Sequence, residues 1–178
     1  MQKKILLEMV NQNLKTCSYA LDRVTGENKD LRLNEQAASI GFILRHIGET
    51  INMFGLFFGI QTEIQNTTIG QIDTGKDYDI RTSRVLIDTG FGMLKKLVEE
   101  TPDSNWLDQI DTPFFGTVSK ARLFSHILYH NSHHCGQISM TLEKGSIGKL
   151  IIKKTSKVPK NENQKAEKII SEYFGSKK

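Results

Sequence analysis

Apolar residues recur every three or four positions in four segments of the chain, and polar stretches rich in glycine separate these segments. This spacing places the apolar side chains on one face of an α-helix, so each segment predicts an amphipathic helix. The predicted helices cover residues 3–24, 34–59, 80–100 and 119–144. Asn34 is a suitable cap for the second helix, and Ser119 or Thr117 for the fourth. We therefore expect an all-α protein, a four-helix bundle in an up-down or crossover arrangement.

Two connections between the predicted helices are long enough to contribute to a site. Residues 61–79 are polar and contain two glycines, and this connection is longer than most, so we expect it to shape a site entrance. Residues 103–118 are irregular but apolar and should fold over the end of the bundle, although ordinary packing is the simpler interpretation for each of their aromatic residues. Those aromatic residues are Trp106, Phe114 and Phe115.

Three glycines recur every seven residues in the second predicted helix, at Gly41, Gly48 and Gly55. Such a stripe allows another helix to approach closely, because no Cβ atom stands between the two backbones. The simpler interpretation is three tolerated glycines, each costing about 1 kcal/mol relative to alanine. The spacing favours close approach slightly.

The composition indicates one domain and a short extension. The chain has 178 residues, 38% of them hydrophobic, and only three prolines. We expect a four-helix domain over residues 1–148 and a lysine-rich extension over residues 149–178, with a short helix near its end. That extension carries a charge of +6, while the whole chain carries +4, so residues 1–148 are mildly acidic. No aromatic residues interleave with the lysines, which argues against a nucleic-acid partner.

The N-terminal segment and the two cysteines allow a prediction of the cellular location. The apolar run at the N-terminus is broken by Glu8 and is too short for a signal peptide. No stretch approaches the roughly 20 apolar residues of a membrane-spanning helix, so we expect no membrane association. Cys17 and Cys135 lie on separate predicted helices and do not suggest a disulfide framework. We therefore expect a cytoplasmic protein.

Four of the five histidines lie in the fourth predicted helix. His130 and His134 are four residues apart, on the margin of its apolar face, and imidazoles at this spacing can converge on one metal ion. His126 and His133 point further from the core and are expected to be solvated or to support the ligands. His126 with His130 is nevertheless a competing four-residue pair.

His46 also lies on the margin of an apolar face, in the second predicted helix. If the two helices pack through their apolar faces, His46 approaches His130 and His134, and the three imidazoles leave further coordination positions free, as catalytic sites do. The simpler interpretation is a half-buried histidine bonded to a carbonyl group.

Around these histidines the chain resembles the DinB-like family of four-helix metalloproteins. That family carries one histidine near the middle of its second helix and the late-helix pattern H-x-x-x-H-[RK]-G-Q. The sequence HNSHHCGQ at residues 130–137 matches this pattern, and His46 takes the place of the first ligand. The resemblance covers roughly residues 1–145 and implies that His46, His130 and His134 are metal ligands. Cys135 stands where the family commonly has a basic residue.

Three further side chains are candidates to support the metal. Gln137 and His133 are close to the ligands in sequence, and Glu49 follows His46 by about one helical turn. On a helical wheel Glu49 points away from the core, so we expect it at most to orient water or substrate. Imidazole serves zinc, nickel, iron and copper alike, and the expected cofactor is a divalent ion such as zinc, nickel, iron or manganese.

The resemblance also implies a reaction class. Enzymes similar to this family use small thiol cosubstrates in S-transfer or in the isomerisation of maleylpyruvate. We therefore expect a metal-dependent thiol transferase that acts on a small molecule, in a homodimer. Two alternatives stay open, a metal-dependent hydrolase and a non-catalytic metal-binding protein with a role in stress response or protein interaction.

Overall fold

Four long helices and one short hairpin form the part of the chain that the computed structural model describes, residues 2–62 and 64–147. The elements are α1 (Gln2–Leu21), α2 (Ile40–Phe57), α3 (Ile80–Glu100), a 3₁₀ helix (Asp103–Leu107), β1 (Gln109–Thr112), β2 (Gly116–Ser119) and α4 (Lys120–Lys144). The predicted four-helix bundle is confirmed. The domain boundary at residue 148 and the lysine-rich extension lie outside the described residues. Within them, no helix is both long and apolar enough to cross a membrane.

Side-chain caps set where three of the helices begin. The Ser39 hydroxyl accepts a hydrogen bond from the Phe42 amide, and Asp79 and Ser119 cap α3 and α4 in the same way. The predicted cap of α2 at Asn34 is wrong, because the observed cap, Ser39, lies five residues further along the chain. Asn34 instead accepts a hydrogen bond from the Gln36 amide, which closes a local turn before the helix.

The bundle pairs two parallel helices with two that run in the opposite direction. Asn13 of α1 donates to Leu128 and Ser132 of α4, and Arg23, two residues past the end of α1, pairs with Glu143 near the end of α4, so these two helices are parallel. Contacts of His46 with His134, and of Phe54 with His126, show that α2 runs antiparallel to α4. Helix α3 is parallel to α2: Gly48 packs on Leu86, and Gly55 on Met93. The order is therefore up, down, down, up.

Close packing of α2 on α3 depends on glycine. A Cβ atom at Gly48 would lie 2.8 Å from the Leu86 Cβ, and one at Gly90 would lie 2.4 Å from the Ile51 Cγ2. Distances this short do not occur between real side chains, so no larger residue fits without movement. The close-approach interpretation of the glycine stripe therefore holds at Gly48.

The segment between α3 and α4 is more regular than the sequence suggested. Strands β1 and β2 pair antiparallel, with Ile110 opposite Val118, and Gly116, the first residue of β2, supplies the positive φ of +63° where the turn ends. Trp106, from the 3₁₀ helix, is 1% exposed and packs edge-on against Phe124 of α4 at 5.2 Å. This segment therefore covers the start of α4, where the irregular loop was expected.

Candidate metal centre

Three histidine side chains point their Nε2 atoms at a common centre between α2 and α4. Nε2 of His130 lies 3.2 Å from Nε2 of His46 and 3.1 Å from Nε2 of His134. The three possible ligand atoms all lie within 4.8 Å of one another. Nitrogen atoms that share one ion at about 2.0–2.1 Å are separated by about 3.0–3.4 Å, so the spacing fits a single metal ion.

The helix geometry explains why these three side chains meet. His130 and His134 are one turn apart on α4, and His46 lies near the middle of the antiparallel helix α2. Each histidine is half-buried on the margin of its helix's apolar face. The structure thus brings together the three residues that the sequence predicted as ligands.

Burial makes the three imidazoles neutral at physiological pH. Burial lowers the pKa of His46 to about 4, and repulsion from His134 in its protonated form adds to this effect. For His130, burial and then the neighbouring histidines lower the pKa to about 2. Burial also lowers the pKa of His134, although its hydrogen bond to Gln137 opposes this effect. Neutral imidazole is the form that binds metal, so protons compete weakly for this site.

Gln137 fixes the orientation of one ring. Its Oε1 lies 2.7 Å from Nδ1 of His134, so the Nδ1–H group donates a hydrogen bond to Gln137. The lone pair of Nε2 then faces the common centre of the three histidines. Nδ1 of His46 and Nδ1 of His130 are buried and have no partner among the described residues. The sequence-based selection of Gln137 therefore identified a direct contact of a predicted ligand.

Glu49 does not point away from the core, and the wheel-based expectation is wrong. Its side chain is 0% exposed, because the 61–79 connection folds over it. The Thr67 and Thr68 hydroxyls donate to its carboxylate at 2.7 and 2.6 Å, both backbone amides donate at 2.9 Å, and Arg45 Nε donates at 2.7 Å. Within the described chain, neither oxygen of Glu49 bonds to a histidine.

These hydrogen bonds determine the charge of Glu49. Burial works to raise the pKa of its carboxyl group, but the bonds from Thr68, Arg45 and Thr67 outweigh burial and hold the pKa below its usual value. Glu49 is therefore a permanent anion that ties the connection to α2. The sequence could not reveal this role, because the two threonines lie 18 and 19 residues further along the chain.

A second buried carboxylate anchors the same connection. Asp73 accepts hydrogen bonds from the Ser39 amide and hydroxyl at 2.8 and 2.7 Å and pairs with Arg32 at 2.8 Å. Since Ser39 caps α2, this contact holds the connection against the start of the helix that carries His46. Both anchors were missed at the sequence level, where the segment reads only as polar.

The chain is similar to known proteins in sequence and in fold. The profile of the DinB superfamily matches residues 11–138. The chain belongs to the DinB superfamily. Among solved structures, it is similar to YfiT from Bacillus subtilis, described as a probable metal-dependent hydrolase with an unusual four-helix bundle topology. The TM-score is 0.62 at 15% identity, over 80% of this chain and 86% of that one, which shows a shared fold. No curated protein sequence matches the chain significantly.

The other two histidines of this DinB member lie beside the triad. The ring of His126 packs on Phe115 at 4.6 Å and on Phe54 at 5.7 Å, while its centroid is 6.3 Å from that of His130. His133 is exposed and stacks on Tyr129. The described ligand cluster contains neither His126 nor His133. The competing pair of His126 with His130 therefore lacks the convergence that the triad shows.

Aromatic side chains form one wall of the site. Phe42 stacks on His46, and Phe54 lies 6.5 Å from the ring of His130. Phe115, at the hairpin turn, stacks on Phe54 and is 40% exposed. The hairpin thus extends an apolar surface from the solvent towards the histidines.

Proposed function

We propose that this DinB protein binds a divalent metal ion through His46, His130 and His134 and uses it in a thiol-transfer reaction on a small molecule. The observation that carries the proposal is the convergence of three neutral imidazoles, with Nε2 of His130 3.2 Å from that of His46 and 3.1 Å from that of His134. Three protein ligands leave positions for a substrate, as catalytic sites require. Imidazoles bind zinc, nickel, iron and copper, so a divalent ion of this group fits the donor set.

A divalent ion held by neutral ligands keeps its full charge and lowers the pKa of a thiol or water that it binds. The protein's own contribution is to position the imidazoles and to shield the site from protons and water. Gln137 holds the ring of His134, the buried histidines stay unprotonated, and the aromatic wall of Phe54 and Phe115 offers apolar contact area for a substrate.

Among the described residues, no carboxylate base lies in contact with the triad, and this favours a thiol nucleophile. Within residues 2–62 and 64–147, no carboxylate hydrogen-bonds to the triad, and Glu49 is held by Arg45, Thr67 and Thr68. A thiol has a pKa of about 8.5 and loses its proton readily, whereas hydrolysis of an amide also needs a proton donor for the leaving group.

A metal-dependent hydrolase is the second candidate. It is supported by the shared fold with YfiT, described as a probable metal-dependent hydrolase. The same triad suits an ester substrate, whose leaving group departs without strong acid assistance. A non-catalytic metal-binding protein is the account that remains if neither activity is found.

The homodimer and the cytoplasmic location are also proposals. Two free buried cysteines, Cys17 and Cys135, are consistent with a reducing compartment. Apolar side chains are exposed along α1 and α4, at Ile5, Met9 and Tyr129, where a second copy could pack. Light scattering after size-exclusion chromatography measures the assembly: a dimer is expected, and a monomeric mass at all concentrations contradicts it.

Metal content tests the site. Elemental analysis of the purified protein should give about one divalent ion per chain. The substitutions His46→Ala, His130→Ala and His134→Ala should each remove most of it, because each deletes one of three protein ligands. The exposed residue His133 supplies the matched control, His133→Ala, which should retain the metal. Full retention in His46→Ala would rule out the cross-helix site.

Turnover tests the reaction. The metal-loaded protein is mixed with a small thiol and a chloro-nitroarene, and in parallel with a panel of aryl esters. We expect thiol consumption that depends on the metal, stops on chelation and is lost in His134→Ala. Ester cleavage without thiol consumption would favour the hydrolase, and inactivity on both panels in the metal-loaded protein would favour the non-catalytic account.

A further inference from the structure

Two buried thiols meet where α1 packs on α4. Cys17 is 0% exposed and Cys135 is 5% exposed, and both are free. The two thiols are neighbours across this interface, one helical turn beyond the contact between Asn13 and Asn131, although the residues lie far apart in sequence. The metal site described above uses neither thiol.

The surrounding contacts fix the register of these two helices. One helical turn before Cys17, Asn13 donates to the Leu128 carbonyl and to the Ser132 hydroxyl, both at 2.9 Å. Asn131, one turn before Cys135, donates to the Asn13 side chain at 3.3 Å. Because α1 and α4 are parallel, the same offset of four residues on each helix places Cys17 opposite Cys135. The proximity of the two thiols is thus a product of the packing and is held in place by buried polar bonds.

We propose that Cys17 and Cys135 form a reversible disulfide that joins α1 to α4 when the protein meets a low-molecular-weight disulfide. One protein thiolate attacks the small disulfide, a mixed disulfide forms, and one small thiol leaves. The second protein thiolate then attacks the protein sulfur of the mixed disulfide, and the second small thiol leaves. Both cysteine S–H bonds are broken, one S–S bond is formed, and the small disulfide is reduced to two thiols.

The cross-link acts on the helix that carries two of the three histidines. Cys135 directly follows His134, so the disulfide would clamp this turn of α4 to α1. It would also close a loop that includes α2, α3 and the hairpin, which restricts the unfolded chain strongly. Oxidation should therefore stabilise the fold, and reduction should release the clamp.

Refolding in a glutathione buffer tests the proposal, because glutathione can reach both thiols while the chain is unfolded. The full chain is unfolded in urea with reductant and refolded in mixtures of reduced and oxidised glutathione. It is then quenched with acid, unfolded and treated with N-ethylmaleimide. In oxidising mixtures we expect no maleimide on either cysteine, and trypsin should release residues 16–23 joined to residues 123–144. Dithiothreitol should separate these peptides.

Stability supplies a second measurement. The melting temperature of the oxidised chain should exceed that of the reduced chain by about 10 °C. The variant Cys17→Ala should show no such difference after the same treatment. Three results in oxidising mixtures would each overturn the proposal: two maleimide groups per chain, a lasting glutathione adduct on one cysteine, or cross-links only between chains. These measurements use the unaltered protein and need no variant.

Discussion

At the scale of single residues, the most informative side chain is a carboxylate that lies close to the histidines in sequence and serves another purpose. Glu49 follows His46 by three positions and would be a natural candidate for a general base. Five hydrogen bonds from Arg45, Thr67 and Thr68 instead hold it under the 61–79 connection. Its position three residues after His46 therefore reflects how the connection is attached to α2.

The substitution Glu49→Gln should destabilise the fold by about 2–4 kcal/mol, because it leaves Arg45 without its buried charged partner and replaces an acceptor oxygen by an amide. Urea unfolding monitored by circular dichroism measures the change in the free energy of unfolding. The exposed residue Glu35 supplies the control, since Glu35→Gln should change it by less than about 0.5 kcal/mol. A stable Glu49→Gln protein that binds metal but is as inactive as His134→Ala would instead make Glu49 a catalytic base.

At the scale of secondary-structure elements, α2 and α3 approach each other so closely that glycine is required on both helices. Gly48 and Gly90 lie where the helices touch, with Leu86 and Ile51 directly against them. Gly92 lies on the same helix as Gly90 and has no atom within 4 Å of the place a Cβ would take. The two glycines of α3 thus have the same helix propensity, but Gly90 is closely packed and Gly92 is not.

The pair of substitutions Gly90→Ala and Gly92→Ala separates these effects. Gly90→Ala should cost about 1–3 kcal/mol, because the new methyl group collides with Ile51. Gly92→Ala should stabilise by up to about 1 kcal/mol, through the better helix propensity of alanine. Thermal and urea unfolding of both variants measure the difference. Equal effects at the two positions would mean that α2 and α3 do not pack as closely as described.

At the scale of the whole molecule, the buried histidines link stability to pH. Their pKa in the unfolded chain is about 6.5, and folding lowers it to about 4 for His46 and about 2 for His130. Between these values the unfolded state binds more protons than the folded state. The free energy of unfolding of the metal-free protein must therefore fall as the pH decreases below about 6.5.

The expected loss between pH 7 and pH 5 is about 2–4 kcal/mol, since each group contributes about 1.4 kcal/mol per pH unit between its two pKa values. Urea unfolding in the presence of a chelator, at several pH values, measures it. In His46→Ala the loss should be smaller, because one of the buried rings is removed. Stability that is flat from pH 7 to pH 5 in the unaltered metal-free protein would contradict the burial of these rings.

Truncation after Gly148 tests the predicted domain boundary. The core contains residues of all four helices, and the described chain ends at the 75% exposed Ile147. Removal of residues 149–178 should therefore leave the helical content and the metal content unchanged. Circular dichroism and elemental analysis of the truncated chain measure both. A large fall in melting temperature would show that the extension packs on the bundle.

The sequence by itself determined the local features of this protein. Apolar periodicity and capping residues are encoded within a few neighbouring positions, so α3 was predicted at its observed bounds and the cap at Ser119 was among the two foreseen. The spacing of His130 and His134 is likewise a property of one helix. The meeting of these two with His46 could be predicted because all three lie on the margins of apolar faces that had to be buried together.

Contacts between segments that lie far apart in the sequence were decided by the tertiary structure alone, because the apolar pattern of one segment does not predict them. The helical wheel predicted an exposed Glu49 because it considers only the residues of α2. Residues 67 and 68, in the connection that follows α2, fold back and bury Glu49. Cys17 and Cys135 sat on separate predicted helices, and only the parallel packing of α1 on α4 makes them neighbours. The direction of each helix depends on how the connections cross the bundle, and that follows from the total burial of the core and from no single stretch of sequence.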